Sequence, residues 1–447
     1  MIKTIPVLIA IICLSTAMPC PGLDLFPNGF HNGGIGACEG CHSRSPVVSN
    51  NGSSVVLTNS STASGTNLTE DTDTVRGMFN GQDPSSTCLI CHTAPKGQRQ
   101  PSGYYVATNY EDITAGMPPA QMAPGGDFAW LRKTFRWSTR DASTIKDGLS
   151  QGERHGHNIV AAQFGYTPDF SNIIAPGGVY PAEKMSCTSC HDPHGSYRRL
   201  HDGSVSTDGA IPIIASGSYK SSPIPDATHA VGVYRLLAGK GYSPRITGAP
   251  VVFTADPPAA ITPDTYNRAE PQHGDTRVAY GSDMSEWCQN CHEPHNHPTG
   301  NSATINTTFA KQYNSYVASG DMGGTRATAY SSLVPFEIGT HDYAELKRLA
   351  GSGGNGADLN GPKAGENIMC LTCHRAHAGG WDAIMRWNPK TELIVYNGQF
   401  PGIDAGSPSH IAQGRTSAET RKAYYDRPAG SFALYQRGLC SKCHAKD

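Results

Sequence analysis

The chain has 447 residues, a formal net charge of −2 and 38% hydrophobic residues, which is below the roughly 45–50% of an ordinary globular protein. The near-zero charge excludes the basic surface that a nucleic-acid-binding protein needs and the acidic block typical of a disordered tail. With 50 Gly and 32 Pro as well, the chain has few apolar side chains for its length. We therefore expect another apolar body to fill the interior.

The first residues have the pattern of an export signal. Lys3 precedes an apolar run over residues 5–14, and small residues up to Ala17 follow at signal-peptidase spacing. That run is too short to span a bilayer, and no later stretch reaches about 18 apolar residues. We predict an exported protein without a membrane span. The local pattern favours cleavage after Ala17, and Pro19 disfavours a lipoprotein anchor on Cys20.

The spacing of the cysteines is the strongest signal in the chain. There are 14, an even number that in an exported protein ordinarily indicates disulfides. Twelve of them fall instead into six C-x-x-C-H motifs, numbered here from first to sixth: Cys38, Cys41, His42; Cys88, Cys91, His92; Cys187, Cys190, His191; Cys288, Cys291, His292; Cys370, Cys373, His374; and Cys440, Cys443, His444. Two thiols at this spacing can add to the vinyl groups of one haem while the adjacent His ligates its iron. Zinc ribbons share C-x-x-C, but six motifs that all end in His predict six covalent c-type haems.

The motifs are spread over nearly the whole chain, so no long segment is left for a separate haem-free domain. We expect one extended domain whose core is built from the six haems. It should consist mostly of irregular loops, with short helices at the haem-binding turns and over Tyr343–Leu349, and with few strands. The stretch from Ser49 to Thr74 is rich in Ser, Thr, Asn and Gly and predicts a surface loop.

The remaining histidines decide whether each iron is closed on both faces. Of 18 His, 12 lie outside the six motifs, twice the number that six irons need. Three lie three residues after a proximal His: His194, His295 and His377. If this spacing is a helical turn, the second imidazole cannot reach the far face of the same haem and should ligate a neighbouring one. His155 and His157 are two apart, so we expect only one to ligate, and His297 competes with His295.

Several segments resemble the outer-surface hexahaem c-type cytochromes of metal-reducing bacteria, whose subunits polymerise into electron-conducting filaments. The segments are FHNGG, PGGDFAW, GHNIVA, APGGVYPAEKMSCTSCHDPHGSYRR, VAYGSDMSEWCQNCH, CLTCHRAHA and YQRGLCSKCHAKD, with all six motifs in register. The resemblance implies bis-His ligation, haems in stacked pairs joined end to end, and a fold made mostly of loops. The distal ligands that it implies are His31, His157, His194, His295, His297 and His377. It also implies a mature domain over residues 30–447 after a leader over residues 1–29, so cleavage at 17/18 and at 29/30 both stay open.

The chain departs from this family at two positions. The resemblance places a His two residues after the first motif, where it would ligate a haem of the next subunit, and another two residues after the second motif; this chain has Arg44 and Ala94 there. The residue that would tie one subunit to the next is therefore missing. The residues that could replace this ligand are His31, His155, His273 and His341. A junction without a shared ligand also stays open.

We therefore predict an extracellular electron-transfer protein rather than an enzyme. It should bind itself head to tail, and pass electrons from partner cytochromes to extracellular acceptors such as metal oxides or other cells, without binding nucleic acid. A monomeric surface or shuttle cytochrome is the first alternative, because the junction His is absent. A multihaem oxidoreductase is less favoured, because such enzymes need an iron with an open position and all six motifs here supply His.

Overall fold

The computed structural model describes residues 41–42, 80–141, 144–264, 267, 278–293, 299–300, 303–319, 334–351, 362–438 and 440–443. Loops and turns make up most of these ranges. The α-helices are Pro84–His92 (α1), Tyr110–Thr114 (α2), Met284–Cys288 (α3), Thr307–Ser319 (α4), Tyr343–Leu349 (α5), Cys370–Cys373 (α6), Ser409–Ala412 (α7), Ser417–Ala423 (α8) and Cys440–Cys443 (α9). The strands are Phe135–Asp141 (β1), Thr144–Ser150 (β2), Arg198–Arg199 (β3), Val205–Ser206 (β4), Val231–Gly232 (β5), Ala259–Ile261 (β6) and Ala279–Ser282 (β7). The predicted loop-rich fold with short helices and few strands is confirmed.

Short helices coincide with the haem motifs. Helix α1 contains the second motif and starts at Pro84, after Asp83, whose side chain accepts a hydrogen bond from the Ser86 N–H. Helices α6 and α9 are single turns formed by C-x-x-C itself, and the third motif forms a 3₁₀ turn over Cys187–Ser189. Away from the motifs, α5 occupies the predicted range and is capped by Asp342, whose side chain accepts from two backbone N–H groups.

The strands form small antiparallel sheets that cannot supply a core of their own. The longest pair, β1 and β2, runs in register from Phe135 opposite Ser150 to Asp141 opposite Thr144. Gly148 lies opposite Trp137, and a Cβ there would come within 2.0 Å of the indole ring. The glycine therefore allows the tryptophan to lie flat across the hairpin.

Buried apolar side chains form five separate clusters in the described ranges rather than one core. The largest includes Trp130, Trp381, Trp387, Phe400 and Tyr424. Residues of the other clusters line a large internal cavity. This division is what a chain with few aliphatic residues produces when a large apolar group is needed to complete its core.

Two sequence predictions fall on parts of the chain that the structure does not describe, namely the leader over residues 1–29 and the loop from Ser49 to Thr74. Among the residues that are described, none of the helices combines the length and the apolar character needed to cross a bilayer.

Candidate haem channel

One cavity has a volume of about 1760 Å³, which is larger than the roughly 300–1,000 Å³ of a pocket for a single small molecule. Its wall is mostly apolar. The motif cysteines that line it are Cys41, Cys88, Cys91, Cys187, Cys190, Cys288, Cys291, Cys370 and Cys373, and the histidines are His92, His157, His191, His292, His374 and His377. An apolar channel with paired thiols and imidazoles along its wall fits several flat macrocycles attached in series.

The motifs contact one another along this channel. Cys88 of the second motif and Cys187 of the third lie close enough for each thiol to shift the pKa of the other. The same holds for Cys288 of the fourth motif and Cys370 of the fifth. The intervening motifs approach through their second cysteines: Cys190 with Cys291, and Cys373 with Cys443. The second to sixth motifs therefore form one continuous series in chain order, meeting alternately at their first and second cysteines.

Burial keeps several of these cysteines in the neutral thiol form. It raises the pKa of Cys190, Cys291 and Cys373 to about 12. Zinc ligation and nucleophilic attack both use thiolates, which form where positive charge or hydrogen bonds lower a thiol pKa. At these three cysteines burial outweighs such effects, including the lowering of the Cys373 pKa by Arg386.

Four of the motif histidines are held by backbone carbonyl groups. Each Nδ1 lies within hydrogen-bond distance of one oxygen: His92 of Tyr104 O at 2.9 Å, His191 of Arg235 O at 2.8 Å, His292 of Pro176 O at 3.0 Å and His374 of Ala383 O at 2.8 Å. Because a carbonyl only accepts, Nδ1 carries the proton and Nε2 keeps its lone pair for a metal. Burial lowers the pKa of His92 and of His191, which favours the neutral ring that an iron requires.

Two of these carbonyl groups, those of Arg235 and Ala383, each belong to an unusual backbone turn. Arg235 and Leu236 have φ of 53° and 55°, and Ala383 and Ile384 have φ of 56° and 57°. Consecutive non-glycine residues in the left-handed region are rare, and each costs about 1–3 kcal/mol. In both turns the first residue aims its carbonyl at the motif histidine. Sequence reasoning missed both carbonyls, since no side chain marks these positions.

His157 and His292 face each other across the channel. Their ring centroids are 6.1 Å apart. An imidazole nitrogen lies ~2.0 Å from a bound metal and ~1.1 Å from its own ring centroid, so two rings on opposite sides of one metal have centroids about 6.2 Å apart. The Nδ1 of His157 hydrogen-bonds the carbonyl of Ala376 at 2.7 Å, which leaves its Nε2 for the channel. The spacing and the proton arrangement are those of a bis-His pair.

Two further pairs have the same spacing. The centroids of His191 and His377 are 6.3 Å apart, and those of His42 and His194 are 6.5 Å apart with the rings parallel within 5°. His377 and His194 follow the fifth and third motifs, yet they face the proximal residues of the third and first motifs. This arrangement matches the expectation that each ligates a neighbouring haem. Ligation itself stays a prediction.

The local structure that produces these pairs differs from the one assumed in the sequence argument, which placed the two histidines of C-H-x-x-H on one helical turn. The helix Cys370–Cys373 ends before His374, whose φ of −109° and ψ of 161° are extended. Likewise, His191 follows the 3₁₀ turn and forms a β-bridge with Leu237. The helical assumption was wrong. Extended backbone at the motif histidine directs the chain away from that motif and brings the next histidine opposite the histidine of another motif.

A backbone clamp positions His377 and His157 together. The His377 N–H donates to Gly125 O at 2.7 Å, and the His157 N–H donates to His377 O at 2.9 Å. Ala378 thereby pairs on one side with Gly126 and on the other with Gly156. At Gly126 φ is +107°, and a Cβ would come within 1.8 Å of Ala378 O. Only glycine allows these two backbone segments to approach this closely.

The neighbouring His155 points elsewhere. It is fully buried outside the channel wall, its Nε2 lies 2.8 Å from the Ser150 hydroxyl, and its Nδ1 lies 3.1 Å from Trp130 O. Asp382 lies 3.5 Å from the same Nε2. With both ring nitrogens engaged, His155 has none left for an iron.

Other predicted site residues cannot be placed. Cys38, His31, His295, His297 and His444 lie outside the described residues, as does the possible substitute His273. The substitute His341 lies with its Nε2 3.3 Å from an Asp283 carboxylate oxygen.

Comparison with known proteins identifies the family. C-type cytochrome OmcS from Geobacter sulfurreducens is 46% identical over 431 residues, covering 94% of each chain. The chain belongs to the OmcS family of c-type cytochromes. It is also similar to two solved OmcS structures from that organism: the outer membrane cytochrome S filament, with a TM-score of 0.78 and 45% identity, and the OmcS nanowires, with a TM-score of 0.77 and 44% identity. Each comparison covers 94% of this chain and 100% of the OmcS chain. No family model matches the chain. The predicted family is confirmed.

Proposed function

We propose that this OmcS-family cytochrome conducts electrons along six covalent haems, as the subunit of an extracellular filament. The observation that carries the proposal is the set of three imidazole pairs with centroids 6.1, 6.3 and 6.5 Å apart. A spacing of about 6.2 Å is what two axial imidazole ligands on one metal require. Irons closed on both faces exchange electrons but leave no position for a substrate.

Each motif would hold one haem by two thioether bonds and one proximal His. The distal ligands that we assign from the ring pairs are His194 for the first motif, His377 for the third and His157 for the fourth. His31, His295 and His297 are the remaining proposed distal ligands. When bound, each haem supplies an iron that alternates between the ferric and ferrous states.

The chain's own residues arrange these centres for transfer between neighbours. Carbonyl groups fix the rotation and the proton of the proximal imidazoles. The apolar channel excludes water, which reduces the reorganisation that accompanies a change of charge. The second to sixth motifs meet in order through their cysteines, so each haem would have a neighbour on either side. Electrons could therefore pass from the second motif to the sixth without a separate, diffusing electron carrier.

Self-assembly extends the same path between molecules. The similar OmcS structures are of a filament and of nanowires. A head-to-tail contact that does not close into a ring gives such an open polymer. We propose that residues 30–447 form the exported domain after a leader over residues 1–29. The polymer lies at the outer surface, takes electrons from partner cytochromes and delivers them to metal oxides or other cells.

Haem counting and gas binding test the electron-transfer assignment. The purified protein should contain six covalent haems by pyridine haemochromogen assay and intact mass, and its electronic and electron paramagnetic resonance spectra should be low-spin. Carbon monoxide added to the reduced protein should bind to fewer than one haem per chain. Fewer than six covalent haems, or carbon monoxide on most irons, would contradict a sealed conduit and favour a multihaem enzyme.

Electron microscopy of the secreted protein tests assembly separately. Filaments with a repeat of one subunit support the polymer. Compact particles with six low-spin haems would instead support the monomeric surface or shuttle cytochrome, which the absence of His at position 44 favours. The two experiments can fail independently.

A further inference from the structure

The left-handed turn of Ala383 and Ile384 directly follows a buried acidic residue, Asp382. The two turn residues have φ of 56° and 57°, a conformation that persists in non-glycine residues only where the surrounding structure imposes it. Asp382 is 8% exposed and lies in the channel wall together with both turn residues. The contacts of its carboxylate therefore bear on how firmly the turn is held.

Both carboxylate oxygens of Asp382 are engaged from outside the channel. Oδ1 accepts a hydrogen bond from the Ser150 hydroxyl, and Oδ2 lies 2.5 Å from Lys390 Nζ. The Ser150 hydroxyl, 1% exposed as a residue, also accepts from Arg415 at 3.0 Å and lies 2.8 Å from His155 Nε2. Burial raises the pKa of Asp382, but hydrogen bonds from His155, Lys390 and Ser150 outweigh it and leave that pKa below its usual value. Asp382 is thus a charged anchor fixed by residues that do not line the channel.

On its other side, the turn is joined to the fifth motif by backbone hydrogen bonds. The Arg375 N–H donates to Ile384 O at 2.9 Å, and the Arg386 N–H donates to Cys373 O at 2.9 Å. Beside these bonds, the Ala383 carbonyl oxygen lies 2.8 Å from the Nδ1 of His374. Any displacement of the turn would therefore reach the proximal imidazole directly.

The corresponding turn at the third motif is held differently. There the Arg235 N–H donates to the Ser218 hydroxyl at 2.8 Å, and the Arg235 carbonyl lies 2.8 Å from His191 Nδ1. The residue before this turn is Tyr234, which has no carboxylate. The two turns share a backbone conformation but not an anchor, so a change at Asp382 should affect one haem alone.

Provided that haem binds as proposed above, we propose that Asp382 is a positioning residue for the haem of the fifth motif: it holds the Ala383 carbonyl on His374 and thereby lowers the reduction potential of that haem. A carbonyl that accepts from Nδ1–H makes the imidazole a stronger electron donor to its iron. A stronger donor stabilises the ferric state more than the ferrous state. When the turn relaxes, this donation weakens and the potential rises.

Redox titration and electron paramagnetic resonance of the holoprotein test this inference with Asp382→Asn and Ser150→Ala. Six low-spin haems in the wild-type protein are established first, so a failure of the proposed conduit is seen before the variants are compared. Asp382→Asn should raise the potential of one component by at least a tenfold change in its one-electron equilibrium, which is 59 mV. Ser150→Ala should move the same component in the same direction by about threefold. In both variants the g values of one low-spin haem should change, because its imidazole is free to rotate.

Ser150→Ala separates positioning from charge. It removes an anchor of Asp382 and leaves every charge in place, so a purely electrostatic effect of the carboxylate would move the potential in Asp382→Asn alone. That result would overturn the proposal. A lower unfolding midpoint with unchanged potentials and g values in both variants would show a merely structural role, and would overturn it as well.

Asp426→Asn is the matched control. Asp426 is 7% exposed, its carboxylate lies 2.6 Å from Lys422 Nζ, and it lies outside the channel wall. This variant should keep all potentials and g values, and a shift equal to that of Asp382→Asn would contradict the proposal. If a variant at Asp382 or Ser150 loses a haem, mass analysis of its peptides locates the empty motif. Loss confined to the fifth motif supports the proposal, and loss at any other motif contradicts it.

Discussion

His157 donates its backbone N–H to the carbonyl oxygen of His377 at 2.9 Å, so two of the proposed distal ligands belong to one pair of hydrogen-bonded loop segments. Their side chains face different partners, His292 and His191. The contact therefore links the sites of the fourth and third motifs through the backbone. Four predictions test this arrangement.

Replacing His377 by Ala should open one iron. The ring at 6.3 Å from His191 would be lost, and nothing else among the described side chains pairs with His191 in the same way. One of the six haems should become high-spin in electron paramagnetic resonance and absorption spectra and should bind one carbon monoxide when reduced. His410→Ala, at an exposed histidine, is the control. Six low-spin haems in the His377 variant would rule out this ligand assignment.

His155 and His157 should behave differently although only one residue separates them. His157→Ala should give one high-spin haem, because its ring faces His292. His155→Asn should keep six low-spin haems and lower the free energy of unfolding by about 1–3 kcal/mol, the cost of leaving buried polar groups unpaired. Spectra and denaturant unfolding of the two variants provide the check. A high-spin haem in the His155 variant alone would reverse the assignment.

Gly126→Ala should disturb His377 without touching its ring. The new methyl group would come within 1.8 Å of Ala378 O at a φ of +107°. The two backbone segments must therefore separate, which should lower the free energy of unfolding by ~2 kcal/mol or more. We expect a lower unfolding midpoint and a partly high-spin haem. Gly430→Ala, where the added Cβ meets open space, serves as the comparison. Wild-type midpoint and spin state in the Gly126 variant would show that the clamp does not set the ligand.

Acid should destabilise the holoprotein as the pH falls below 6.5, because iron ligation requires unprotonated histidines. Burial acts in the same direction: it lowers the pKa of His157 to about 4 and of His377 to about 3, from 6.5 in the unfolded chain. The unfolded state therefore binds more protons as pH falls below 6.5, and each such histidine removes up to about 1.4 kcal/mol of stability per pH unit. The full contribution is present above pH 6.5. Guanidinium unfolding at pH 7.5, 5.5 and 4.5 should show a falling midpoint.

Glu337 works against this trend. Burial raises its pKa to about 8, so its contribution is greatest in acid and is lost as pH rises from 4.5 to 8. Burial also lowers the pKa of three more histidines: His92, His155 and His191. Burial raises the pKa of Asp127 and of Asp283 in the same direction as that of Glu337. The five histidines with a lowered pKa outnumber these three carboxyl groups, so the net slope should keep the sign that the histidines give it. Glu337→Gln should steepen the acid dependence, and a midpoint that does not fall in acid would contradict the neutral-histidine assignment.

The sequence was sufficient to predict the features that depend on a repeated motif or on amino-acid composition. Six C-x-x-C-H motifs and a low apolar content predicted short helices, scarce strands and an interior completed by something other than side chains. Helix α5 was predicted because Asp342 and its apolar spacing are local signals. Each of these rests on residues close together in the chain.

The pairing of histidines could not be predicted, because it depends on contacts between distant segments. Spacing alone does not distinguish His157 from His155, and only the family resemblance favoured His157. In the structure their long-range surroundings separate them: Ala376 O for the first, Ser150 and Trp130 for the second. The left-handed turns at Arg235 and Ala383 were likewise invisible. Their residues give no local reason for a positive φ, which is imposed by the tertiary structure.

The carbonyl groups that hold four proximal imidazoles carry no titratable proton. In many metal sites a carboxylate occupies that position, and its protonation weakens the ligand as the medium acidifies. Here the electron-donating strength of each histidine towards its iron should be the same in mildly acidic and mildly alkaline surroundings. An electron-conducting protein exposed to an unbuffered environment would thus keep the same driving force for electron transfer near neutral pH. Any remaining pH dependence would have to come from groups at the edges of the haems.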